Sequence, residues 1–145
     1  MKPPELFLQK QPTSITCVQA CLAMALNVNV QKVILTFGER SMNQQALTCA
    51  LTQCGIVWNQ FTMGTLMFDG WYFAVVPSLN HVGGNHQVLL CWEHETGKLK
   101  VLDPAIARTY KEDGSDLVSW EGLTAFLPGG KLPDWVARDS VTYEK

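Results

Sequence analysis

The run Cys17-Val18-Gln19-Ala20-Cys21-Leu22-Ala23-Met24-Ala25-Leu26-Asn27 constrains this chain more than any other stretch. It is built from strong helix formers and contains no glycine, proline or charge. Its apolar residues lie on nearly every side of a helical period, so it predicts a buried central helix rather than a surface one. Thr13, Ser14 and Thr16 stand just before it and can cap its start. Pro3, Pro4 and Pro12 keep residues 1–16 extended.

A second helix is predicted over residues 42–54. Ser41 with Gln44 makes a capping box, Gly55 is a stop, and Ala46, Leu47, Ala50, Leu51 and Cys54 form its apolar face. Residues 28–37 read as a short helix and a turn. Past residue 56 the texture changes to strands. Residues 71–76 (WYFAVV) form a β-rich run closed by Pro77, and residues 87–92 (QVLLCW) form another. The polar turn His94-Glu95-Thr96-Gly97 then leads into residues 98–102 (KLKVL), as in an antiparallel hairpin. Ser119 can cap a short helix through Phe126, and the tail from Pro128 is irregular. Helices first and strands afterwards predict an α+β fold. No repeat or linker divides the 145 residues, so one domain over residues 1–145 is expected.

Composition narrows the function. Apolar residues make up 47% and charged residues 17%, which a chain of this length can fold into a core without disulfides or metal. A net charge of −2 argues against nucleic-acid binding and against a polybasic membrane module. The apolar runs are too short for a membrane span, and Met1-Lys2-Pro3-Pro4-Glu5 does not open a secretory signal. A cytoplasmic setting with reduced thiols is therefore expected. The five cysteines, Cys17, Cys21, Cys49, Cys54 and Cys91, are odd in number and do not show zinc-ligand spacing. A metal site from Cys17, Cys21, His81 and His86 would follow no recognised ligand pattern, so no metal or cofactor is expected.

Most free cysteines are small core hydrophobes, and four of the five are read so. Cys17 differs by standing in the first turn of the buried helix. There the unpaired amides favour a thiolate and lower its pKa. A thiol nucleophile needs a base, and three histidines are available: His81, His86 and His94. His86 opens an apolar strand and is the best placed. His94 sits in the hairpin turn, and His81 is a second choice. Asp103 ends the partner strand. With a turn at residues 94–97 it falls within a residue or two of facing His86, which puts the two side chains on one face about 5 Å apart. Gln11, in the extended segment before the helix, can fold its amide toward the thiol as an oxyanion donor, as can the Cys17 backbone N–H, with Gln9 as competitor.

These residues resemble a known family. Gln11-x5-Cys17 followed by Ala20-Cys21-Leu22-Ala23-Met24 is similar to the opening pattern of the papain-like peptidases that trim double-glycine leaders from bacteriocins. His86-Gln87-Val88-Leu89-Leu90 resembles that family's histidine opening an apolar strand, and Val101-Leu102-Asp103-Pro104 its strand ending in Asp-Pro. Tyr110 and Trp120-x-Gly122 resemble its closing aromatic pattern. The resemblance spans roughly residues 9–126 and implies a papain-like fold, with a buried nucleophile helix on an antiparallel sheet. It implies Cys17 as nucleophile, His86 as general base and acid, Asp103 as the residue orienting His86, and Gln11 in the oxyanion hole. Thr16-Cys17-Val18 stands where the family usually carries Asp-Cys-Gly, and the β-branched Val18 narrows the site beside the sulfur. The expected activity is a cysteine peptidase acting on a peptide or protein substrate other than a double-glycine leader. The alternatives are a deamidase or acyl-transfer enzyme on the same triad, and a binding or inhibitory module that has lost turnover.

Overall fold

α1 (Cys17–Leu26) is enclosed as its composition requires: every residue from Val18 to Leu26 is buried. Asn27 ends it in the left-handed region with φ 56°, a conformation asparagine tolerates better than most residues. The computed structural model describes residues 3–61, 68–77, 85–105 and 122–135. Within them α1 is followed by α2 (Val30–Phe37), α3 (Gln44–Gln53), β1 (Trp58–Phe61), β2 (Gly70–Pro77), β3 (Asn85–Glu93), β4 (Lys98–Leu102) and β5 (Gly122–Phe126). The strands form one sheet in the order β1-β5-β2-β3-β4, and every neighbouring pair is antiparallel. The fold is α+β. No single helix among the described residues is long and apolar enough to cross a membrane.

The short helices begin where an asparagine can accept a backbone proton. Asn29 Oδ1 takes the Gln31 N–H at 2.8 Å to start α2. Asn43 Oδ1 takes the Ala46 N–H at 2.8 Å to start α3. The predicted capping box of Ser41 with Gln44 does not form. Gln44 instead donates from Nε2 to Thr124 Oγ1 at 2.7 Å, tying the start of α3 to the sheet. Gln9 is used structurally: its Nε2 donates to the Val28 carbonyl at 2.6 Å and its Oε1 accepts the Val30 N–H at 3.0 Å.

Residues 122–126, predicted to finish a helix, are strand β5, inserted between β1 and β2 (Trp58↔Phe126 on one side, Trp71↔Phe126 on the other). Five residues are too few for a stable helix. Their alternation suits a strand: Thr124 and Phe126 face one way, Leu123 and Ala125 the other. Ser119, the proposed cap, lies outside the described residues, as do Tyr110, Trp120 and His81.

The sheet is buried on both faces. Trp71, Phe73, Leu89, Leu102 and Phe126 join the core around α1, α2 and α3. Tyr72, Ala74, Val76, Val88, Leu90, Leu99 and Leu123 form a second apolar cluster on the opposite face. That is why β2 and β3 read as continuous apolar runs rather than alternating ones.

Candidate active site

The site begins at a break in the sheet. β3 and β4 pair from Glu93↔Lys98 to Leu89↔Leu102, and there β4 stops. Extended by two residues, the same register would set Pro104 opposite Gln87. Proline has no N–H to give, and the Pro104 carbonyl is taken by the Gln11 N–H at 2.9 Å. The backbone of Gln87 therefore finds its partners on α1. Cys21 Sγ donates to the Gln87 carbonyl at 3.4 Å. The Gln87 N–H donates to the sulfur of Cys17, one helical turn earlier. Two thiols of a helix stand where a strand would have continued.

The same register brings His86 and Asp103 together. Asp103 would face Val88, and His86 lies two residues along on the same side, a diagonal cross-strand pair. His86 Nε2 and Asp103 Oδ1 are 2.6 Å apart. Asp103 is buried, and its Oδ1 also accepts the Ala105 N–H at 2.9 Å, which fixes the carboxylate on the turn after β4. With Nε2 committed to Asp103, Nδ1 is the ring nitrogen left for the Cys17 thiol, and the two groups lie close enough for each to shift the other. The structure thus brings Cys17, His86 and Asp103 together.

The electrostatics follow from this geometry. Burial alone would push the Cys17 thiol up. The His86 hydrogen bond, the Gln87 N–H, the charge of His86 and the Val18 N–H outweigh it and hold the thiol below the ordinary 9.0. Burial alone would lower His86. Hydrogen bonds to Asp103 and Cys17, with the charges of both, raise it to about 9. These opposite shifts both act in favour of a thiolate–imidazolium pair over the neutral one. Cys21 responds the other way. Burial, then the charges of Cys17 and Asp103, raise it well above 9.0. Burial likewise raises Cys54 and Cys91 to about 11.

The start of α1 lacks the expected side-chain cap. The Thr16 hydroxyl accepts the Thr13 N–H at 3.1 Å and donates to the Thr13 carbonyl at 3.2 Å, so it closes the preceding turn instead. The first helical amides keep their partial positive charge beside the sulfur. Gln11 is placed differently from the sequence expectation. Its Nε2 donates to the Thr13 carbonyl at 2.8 Å, its Oε1 is buried with no partner among the described residues, and it is not among the described residues that line the cleft at Cys17. The donors that do reach the sulfur are backbone groups of Val18 and Gln87. Sequence reasoning missed the Gln87 N–H. The signal for it was Pro104, a proline just past the strand end, which cannot continue the ladder. His94 is exposed in the hairpin turn, where its backbone N–H bonds Asp69 Oδ1 at 2.8 Å.

Cys17 and His86 open into a cleft of about 470 Å³ between the start of α1, the segment before α3, and strands β1 to β3. A second hollow of about 370 Å³, among Trp58, Trp71, Phe126 and Pro4, has neither cysteine nor histidine among its described lining residues. Among the described residues, no three His, Cys, Asp or Glu side chains are grouped to hold a metal ion. No protein-family model matches the chain, and no curated protein does. The functional reading therefore rests on the residues and their geometry.

Proposed function

We propose that this chain is a thiol-dependent amide hydrolase, a cysteine peptidase of papain-like fold that cleaves a peptide or isopeptide bond. The observation that carries the reading is the placement of His86 between Cys17 and Asp103, with the thiol shifted down and the imidazole shifted up. The Cys17 thiolate attacks the substrate carbonyl carbon. The resulting oxyanion is stabilised by backbone N–H groups at the uncapped start of α1. His86, protonated on the nitrogen facing the sulfur, gives that proton to the leaving amine as the C–N bond breaks. Water then attacks the thioester, His86 takes its proton, and the C–S bond breaks to release the acid and restore the thiolate beside protonated His86. Asp103 holds the ring in the tautomer that keeps the reacting nitrogen toward the sulfur. Gln11 joins the oxyanion donors if its amide leaves the Thr13 carbonyl when substrate binds.

The test compares iodoacetamide labelling of Cys17 and Cys49 at pH 6, followed by peptide hydrolysis with Cys17→Ala as the control. Cys49 is the exposed reference thiol. Faster labelling of Cys17, together with hydrolysis lost in the variant, is the expected result. Labelling of Cys17 no faster than that of Cys49 overturns the reading. A binding module would keep its partner in the Cys17→Ala variant and show no turnover before it.

A further inference from the structure

The cleft beside Cys17 is walled by Val18 and the segment from Ser41 to Gln44 on one side, and by Gln60, Val75 and His86 on the other. Its described lining contains no lysine, arginine, aspartate or glutamate. A charged substrate side chain entering it would leave water without gaining a counter-charge. The lining does carry side-chain amides. Asn43 Oδ1 is spent capping α3. Gln44 Nε2 is held on Thr124 Oγ1, which leaves its Oε1 as an acceptor. Thr124 is the cross-strand partner of Gln60, so the Gln44 amide stands beside that of Gln60. Gln60 is exposed, and its side-chain amide has no hydrogen-bond partner among the described residues. Together they offer one fixed acceptor and one amide able to give and accept, the complement of a primary amide.

Building on the hydrolase reading, we propose that this amide pair selects a substrate segment with an asparagine or glutamine side chain beside the bond attacked, and that Gln60 determines the specificity. A site that hydrogen-bonds its substrate discriminates strongly against partners that cannot return the bonds. An apolar side chain would displace water from the amides without replacing its hydrogen bonds, and an ionised one would be desolvated without compensation.

The experiment uses peptidyl fluoromethyl ketones that differ only in one side chain: Gln, Asn, Leu, Lys or Glu. The rate of Cys17 alkylation is read by intact mass, with iodoacetamide alongside to report the sulfur itself. Gln and Asn probes should react about tenfold faster than the others. Gln60→Glu should move the preference toward the Lys probe by about tenfold, because a carboxylate there provides the missing counter-charge. Gln60→Leu should flatten the Gln preference. The near-UV spectrum checks that both variants keep the fold. A charged probe leading in the unmodified protein, or a ranking that Gln60→Glu does not move, overturns the proposal. With Cys17 still fast toward iodoacetamide, that failure falls on the specificity alone. A slow Cys17 overturns the hydrolase reading and the proposal together.

Discussion

The first and second turns of α1 present the same side chain to the same residue of β3, with opposite chemical results. Cys17 receives the N–H of Gln87 and is lowered; Cys21 gives its proton to the Gln87 carbonyl and is raised. Both are more covered than Cys49, so burial alone does not make a reactive sulfur. Burial raises both; at Cys17 the His86 imidazole and the N–H groups of Gln87 and Val18 outweigh it, whereas at Cys21 the charges of Cys17 and Asp103 add to it.

The largest contrast should appear on removing each sulfur. Cys17→Ala is expected to abolish peptide hydrolysis, a loss of at least about 10³-fold, as for the nucleophile of other acyl-transfer triads. Cys21→Ala should leave turnover within about threefold of the starting chain and lower stability instead. Steady-state rates and urea unfolding of the two variants measure this directly. Equal losses of activity would erase the distinction between the turns.

His86→Ala comes next, with turnover expected to fall by roughly 10²–10⁴-fold. It also removes the main group lowering Cys17, so iodoacetamide labelling at pH 6 should slow toward the rate of Cys49. Asp103→Asn should cost about 10²-fold while leaving Cys17 in place, because the ring loses the acceptor that sets its tautomer.

The pH dependence separates the partners by sign. His86 in the folded chain titrates near 9, above its ordinary 6.5, so its contribution to stability is full below pH 6.5 and is lost as pH rises through 9. Cys17 is lowered from 9.0, so its contribution is full above pH 9.0 and is lost as pH falls through its folded value. The two slopes oppose each other. Urea unfolding between pH 6.5 and 9 should therefore be flatter for the intact chain than for Cys17→Ala, whose stability should decline with rising pH. Hydrolysis should fall above about pH 9 as His86 loses its proton.

The smallest effect belongs to Cys21→Ser, which keeps a donor for the Gln87 carbonyl. It should cost about 1 kcal/mol in urea unfolding through poorer packing. A larger cost would mean that the second turn seats the helix more firmly than its one bond implies.

The parts legible in the sequence were those with local signals. α1 follows from composition, and the β3–β4 hairpin from two apolar runs around a polar turn. The pairing of His86 with Asp103 follows from counting residues across that turn. What stayed hidden depends on partners distant in the chain. β5 is a strand because β1 and β2 flank it, and the short alternation from Leu123 to Phe126 does not fix that by itself. Asn43 prevails over Ser41 as the cap because Gln44 is drawn to Thr124 on the sheet. Gln11 was read from its distance to Cys17, yet its Nε2 is engaged locally by the Thr13 carbonyl. A backbone donor such as the Gln87 N–H has no side-chain letter to read.

On the hydrolase reading, the break at Pro104 also ties reactivity to the assembled fold. The groups that sharpen Cys17 arrive from a strand far downstream and meet it only after the helix has docked in the opening beside β4. A nascent or misassembled copy carries five unremarkable thiols. On that reading, chemical competence therefore belongs to the assembled fold and not to the unfolded chain.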